Sequence, residues 1–226
     1  FREIRTKIIQ KTGGQNCTVV VTSIGSRSGA SLVALNLGVA FAFDAGKTAL
    51  VVDCNLRNPS LQSLLPDQEC RGVRDYIEDP DVDVGDIIYP VGIPRLRVIP
   101  AGKVHESSVE YFTSTRMRNL LENIKHRYRD RFIILDAPPI SHSADVQILM
   151  EICDYLLLVV PYGKVTESQL HQGVKAVHPQ KFLGVVFNDE PRIPRLNWRE
   201  IVYTSPLYRQ GALFLSTMVK KWRKQT

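Results

Sequence analysis

With 226 residues, 44% of them hydrophobic, and a formal net charge of +6, the chain has the length and apolar content for one full-sized core. No apolar run approaches the roughly 18–20 residues that span a bilayer, and Phe1-Arg-Glu-Ile-Arg5 does not read as a signal peptide. The cysteines Cys17, Cys54, Cys70 and Cys153 have no ligand spacing and lie mostly in or beside apolar strands, which predicts reduced, buried thiols of a cytosolic protein.

In chain order, Thr18–Ser23 reads as an apolar strand that enters a Gly/Ser loop and then a helix over Ser31–Asp44, with Gly46 as its stop. A strand over Ala49–Asp53 follows. Residues Asp67–Ile93 are acidic and turn-rich, and predict an excursion at the sheet edge. Beyond it come a strand (Leu96–Pro100), a helix (Ser114–Arg127), a strand (Phe132–Asp136), a helix (Asp145–Ile152) and a strand (Tyr155–Val160). A helix over Ser168–Ala176 and a strand over Phe182–Phe187 complete the series. The strands are mostly continuous Val/Ile/Leu runs, as in a parallel sheet covered on both faces. The alternation predicts an α/β fold, a doubly wound, mostly parallel sheet flanked by helices, with ligands at the carboxyl ends of the strands. One domain is expected over residues 1–190. Residues 191–226 form a tail in which Leu207–Trp222 is an amphipathic helix candidate, docking on the domain or on a partner. The basic cluster Lys220-Lys-Trp-Arg-Lys224 suits either a membrane surface or plain solvation. No nucleic-acid module is visible, and no nucleic-acid partner is expected.

The chemistry concentrates at three strand ends. Ser23-Ile-Gly-Ser-Arg-Ser-Gly29-Ala-Ser31 is a glycine-containing turn running into a helix, where backbone N–H groups and the helix dipole suit a phosphate. A phosphate loop of that kind ends in Gly-Lys-Ser/Thr; here Ala30 takes the lysine position, while Gly29 and the hydroxyl of Ser31 remain. The second strand ends in Asp53, followed by Cys-Asn55-Leu-Arg57-Asn-Pro59, and the strand over Phe132–Asp136 ends in Asp136-Ala-Pro-Pro139. A carboxylate at the tip of a buried strand costs free energy unless it meets a cation, water or a metal, and two facing one loop suit Mg²⁺-nucleotide chemistry. The bland alternative is that each aspartate caps the turn that follows it.

These segments in this order resemble the cytoplasmic domain of bacterial tyrosine kinases of the polysaccharide co-polymerase type. That family lies in the wider P-loop group with the septum-site and chromosome-partitioning ATPases. Val51-Val-Asp53-Cys-Asn55-Leu-Arg57-Asn-Pro59 resembles the family's second Walker motif and Leu135-Asp136-Ala-Pro-Pro139 its Walker B motif; Ser143-Ala-Asp145 and Gly184-Val-Val-Phe-Asn188 also fit. The resemblance implies ATP or ADP with Mg²⁺, with Ser31, Asp53 and Asp136 at the metal. It implies Asp53 and Asp136 as catalytic groups in an active enzyme, and Gly29, Ser31, Arg27 and Asn188 at the nucleotide. It further implies that Arg2 and Arg5 belong to an oligomerisation helix. The implied partners are a membrane polysaccharide co-polymerase or transmembrane activator and further copies of the chain, at the inner face of the cell membrane.

The departures fall on the mechanism itself. Ala30 replaces the lysine, Asn55 replaces the second acid of the second Walker motif, Arg27 replaces a loop glycine, and the C-terminal tyrosines reduce to Tyr203 and Tyr208. Together they predict a pseudokinase that binds nucleotide weakly or not at all and acts through protein partners in exopolysaccharide biosynthesis or export. An active tyrosine autokinase or ATPase, with Arg27 or a neighbouring subunit's cation in place of lysine, is the alternative. A partitioning ATPase is disfavoured by Gly25, where those proteins carry a further lysine. His171 and His178 lack ligand spacing, Ser141-His142-Ser143 lacks a nucleophile elbow, and Trp198 and Trp222 read as packing or interface anchors.

Overall fold

The computed structural model describes residues 1–67, 69–103, 111–127, 131–141 and 145–190. The expectations for His142, Ser143, Trp198, Tyr203, Tyr208, the helix over Leu207–Trp222 and the basic cluster lie outside the described residues. Residues Phe1–Glu190 group as one compact unit.

Seven strands are present among the described residues: β1 (Thr18–Ser23), β2 (Thr48–Asp53), β3 (Tyr89–Pro90), β4 (Leu96–Ile99), β5 (Arg131–Asp136), β6 (Tyr155–Pro161) and β7 (Phe182–Asn188). The helices are α1 (Arg2–Thr12), α2 (Ala30–Ala42), α3 (Val73–Glu78), α4 (Thr115–Arg127), α5 (Asp145–Ile152) and α6 (Glu167–Lys175). The strands form one sheet in the order β3-β4-β2-β5-β1-β6-β7, parallel throughout except for the short β3. Every residue of β1 is buried, as are the last five residues of β2 and β5, so the continuous apolar runs do mark strands covered on both faces. The edge strand β7 differs, being half-buried along nearly its whole length, with Phe187 exposed.

Alternation along each strand separates two cores. Val19, Val21, Val51, Ile134 and Val159 face α1 and α2, where Ile8, Val33, Leu37 and Phe41 close the layer. Val20, Leu50, Ile133, Leu135 and Leu158 face the other side, against Val73, Met117, Leu120, Ile124, Val146 and Leu149. Phe41 stacks on Phe132 with ring centroids 4.0 Å apart, fixing α2 across the sheet.

Three local features depart from the sequence reading. Helix α2 ends at Ala42 with Phe43 as its cap, four residues before Gly46, whose positive φ of 77° serves the turn into β2. The excursion over Asp67–Ile93 holds α3, whose Arg74 and Asp75 are buried. Arg74 donates to the carbonyls of Gly102 (2.8 Å) and Leu56, while Asp75 accepts from the N–H groups of Gly72 (2.8 Å) and Lys103 (3.1 Å). The arginines of α1 divide in behaviour. Arg2 is exposed, whereas Arg5 donates to the carbonyl of Ala40 (2.9 Å) and lies 3.5 Å from Asp44, tying α1 to the last turn of α2.

Candidate functional site

Parallel pairing sets Asp53 directly beside Asp136 in register, and β1 runs alongside β5 with Val21 opposite Asp136. The two carboxylates therefore meet at one sheet end, next to the loop that leaves β1. Both are fully buried. Their environments are unequal. Asp53 accepts three backbone N–H groups, from Asn55 (3.1 Å), Ser60 (2.8 Å) and Leu61 (2.9 Å), and so braces the whole turn that follows β2. Asp136 accepts a long contact from the Ser60 hydroxyl (3.5 Å) on one oxygen, while its Oδ1 is buried without a hydrogen-bond partner.

Burial pushes the carboxyl of Asp136 up to about 7, and the neighbouring Asp53 charge adds to the rise; the hydroxyls of Ser31 and Ser60 oppose it. Burial also raises Asp53, against its three N–H donors and the more distant charge of Arg74. Two carboxylates this close, one with an open oxygen, fit a hard cation, and Ser31 in the first turn of α2 adds a hydroxyl. The side-chain oxygen of Asn55 is a second buried acceptor without a partner. These residues fit Mg²⁺ at Asp136, Asp53 and Ser31; such an ion supplies charge neutralisation beside a phosphate.

The loop itself is tightly built. The hydroxyls of Ser23 (2.8 Å) and Ser28 both donate to the carbonyl of Gly25. Arg27 is exposed and left-handed, with φ 55°, a conformation that costs a non-glycine residue about 1–2 kcal/mol. Gly29, with φ 76°, is the residue before α2, and a Cβ there would lie 2.2 Å from the side-chain nitrogen of Asn188. Helix α2 begins at Ala30, so a methyl group stands where the turn meets the helix N-terminus. Gly29, Ser31, Asp53, Asp136 and Asn188 thus gather at one end of the sheet, with Arg27 at the loop's outer rim. Ser60 was missed by the sequence reading. Its backbone N–H reaches Asp53 and its hydroxyl reaches Asp136, and the signal available was its place after Asn58-Pro59 at the close of the turn.

A central parallel sheet with a glycine turn between β1 and α2, and aspartates at two neighbouring strand ends, defines an α/β domain of the P-loop nucleoside-triphosphatase type. No protein-family model matches the chain. It is 29% identical over 191 residues to the tyrosine-protein kinase CpsD of Streptococcus agalactiae serotype III, covering 83% of this chain and 80% of that one. It is 26% identical over 201 residues to the succinoglycan biosynthesis transport protein ExoP of Rhizobium meliloti, covering 83% of this chain and 24% of ExoP. Among solved structures, the chimerical protein CapA2B2 superposes with a TM-score of 0.76 at 27% identity, covering 84% of each chain. In sequence and in fold the chain is thus similar to kinase domains of the bacterial tyrosine-kinase type, CpsD among them.

Proposed function

We propose that this domain is a kinase-like regulator of capsule or exopolysaccharide assembly that works by binding partners, with little or no phosphotransfer of its own. The observation that carries this reading is Ala30 at the junction of loop and α2, where an ammonium would stabilise transferring phosphate. Burial and the charge of Asp53 raise the carboxyl of Asp136, and the hydroxyls of Ser31 and Ser60 lower it. Arg27, the cation nearest in sequence, is exposed at the rim. Asn55 lacks the acid that the family's second Walker motif carries there. The names of CpsD and ExoP supply the tyrosine-kinase and polysaccharide context. On this reading the partner is a membrane co-polymerase or activator at the inner membrane face, Arg2 and Arg5 contribute to contacts between copies, and the tail over residues 191–226 docks on the domain or on a partner.

A second reading, an active ATP-dependent tyrosine autokinase or ATPase, is favoured by the surviving pair Asp53 and Asp136 with Ser31. Calorimetric titration with ATP and ADP, with and without Mg²⁺, separates the two, followed by phosphate release and phosphotyrosine assays. The regulator reading expects weak or no binding and no turnover in the wild type. It also expects Ala30→Lys to strengthen ATP binding. Turnover by the wild type, abolished by Asp136→Ala, would establish the enzyme instead.

A further inference from the structure

We propose that Asn188 is a positioning residue that latches the phosphate loop to the edge strand β7. This rests on the reading of that loop as a nucleotide site, active or vestigial. The side-chain amide of Asn188 donates to the carbonyl of Ser28 at 2.9 Å. Because a carbonyl only accepts, the group facing it is the NH₂, so one donor of the amide is committed to the loop rather than left for a ligand. The backbone carbonyl of Asn188 in turn accepts the N–H of Tyr162 at 2.8 Å, which pins the latch to the end of β6.

The rest of the loop is arranged around this contact. Ser28 is buried, and its hydroxyl donates to Gly25, which the Ser23 hydroxyl also holds. The N–H of Ile24 donates to the carbonyl of Val159 on β6 (3.4 Å). The left-handed residues Arg27 and Gly29 flank Ser28, whose carbonyl accepts the amide of Asn188. Gly29 is left-handed at φ 76°, and the amide of Asn188 lies against the face where a Cβ would stand. An intact loop without its lysine therefore keeps its shape through β7. Whatever displaces the end of β7 releases Ser28 and loosens the loop.

The test measures amide hydrogen exchange over residues 24–31 in the full chain, for the wild type, Asn188→Ala and Asn188→Asp. Losing one hydrogen bond of ordinary strength speeds loop exchange about fivefold in Asn188→Ala. Asn188→Asp, which sets a carboxylate against a carbonyl, speeds it further. Exchange in β2 and β5 stays at wild-type rates in both. Unchanged loop exchange in both variants overturns the latch. The binding arm uses ATP and inorganic tripolyphosphate, which has no base. A latch weakens both by the same factor in Asn188→Ala, whereas a selective loss of ATP binding overturns the proposal in favour of a base contact. If the wild type binds neither compound, the site is vestigial, and the exchange rates alone decide the latch.

Discussion

The two ends of the sheet are finished in opposite ways. At the amino end, lysines close several backbone acceptors, while the buried hydroxyl of Thr48 keeps no hydrogen-bond partner: Lys11 donates to Phe182 (3.1 Å), Lys47 to Gly14 (2.9 Å) and Lys181 to Met150 (2.6 Å). Lys125 pairs with Asp154 (2.8 Å), which also accepts the first N–H of β1 from Thr18 (2.8 Å). At the carboxyl end, the carboxylate of Asp136 and the amide of Asn55 keep buried oxygens without hydrogen-bond partners. The amino end is built for stability. The carboxyl end retains unsatisfied groups, which is where proteins of this architecture do their chemistry.

Four substitutions break or sharpen that contrast. The largest effect is expected from Asp53→Ala, which strands three backbone N–H groups at the carboxyl end; relief of the buried charge offsets part of the loss, leaving about 3 kcal/mol by denaturant unfolding. Such a loss makes Asp53 the stabilising exception at that end, and an unchanged midpoint removes it. Asp136→Asn has the opposite sign. The native carboxyl holds its proton up to about 7, against an ordinary value of 3.8, so the folded state binds more protons than the unfolded state between those limits. Stability from this group is therefore greatest at low pH and falls as pH rises towards 7. Asp136→Asn is expected to gain on the order of 2 kcal/mol at pH 8 and nothing at pH 4, read from melting temperatures across that range.

Asp154→Ala tests the amino end, where losing the acceptor of Thr18 and the partner of Lys125 costs about 2 kcal/mol by denaturant unfolding. A neutral result makes the lysine closures decorative. The smallest change is Arg27→Gly, which relieves the left-handed backbone and raises stability by about 1 kcal/mol. If it also strengthens tripolyphosphate binding, Arg27 obstructs the loop, and if it weakens it, Arg27 supplies charge.

Much of the fold was legible because buried parallel strands write themselves as unbroken Val/Ile/Leu runs. The predicted Thr18–Ser23 matches β1 at both ends, and the helix over Asp145–Ile152 matches α5. The meeting of Asp53 and Asp136 was legible too, since both close central strands that pair in register. What the sequence concealed depends on contacts across the chain. Asp75 holds the N–H of Gly72 at the start of its own helix, but the other partners of Arg74 and Asp75 are carbonyls and an amide of two other loops, which nothing local to α3 marks. The resemblance placed Arg5 in an oligomerisation helix; its contacts with Ala40 and Asp44 of its own chain had no mark in the sequence. The open oxygen of Asp136 was equally out of reach, since neighbouring hydroxyls reveal themselves only in three dimensions.

The tie between Arg5 and α2 has a mechanical meaning. Helix α2 is a rod of 13 residues, about 20 Å long, with Arg5 gripping one end and the phosphate loop at the other. A pull on α1 is thus delivered along a stiff axis to Ala30 rather than dissipated in a flexible linker. The domain carries a built-in pushrod, whose input lies at the closed end of the sheet and whose output lies at the open one.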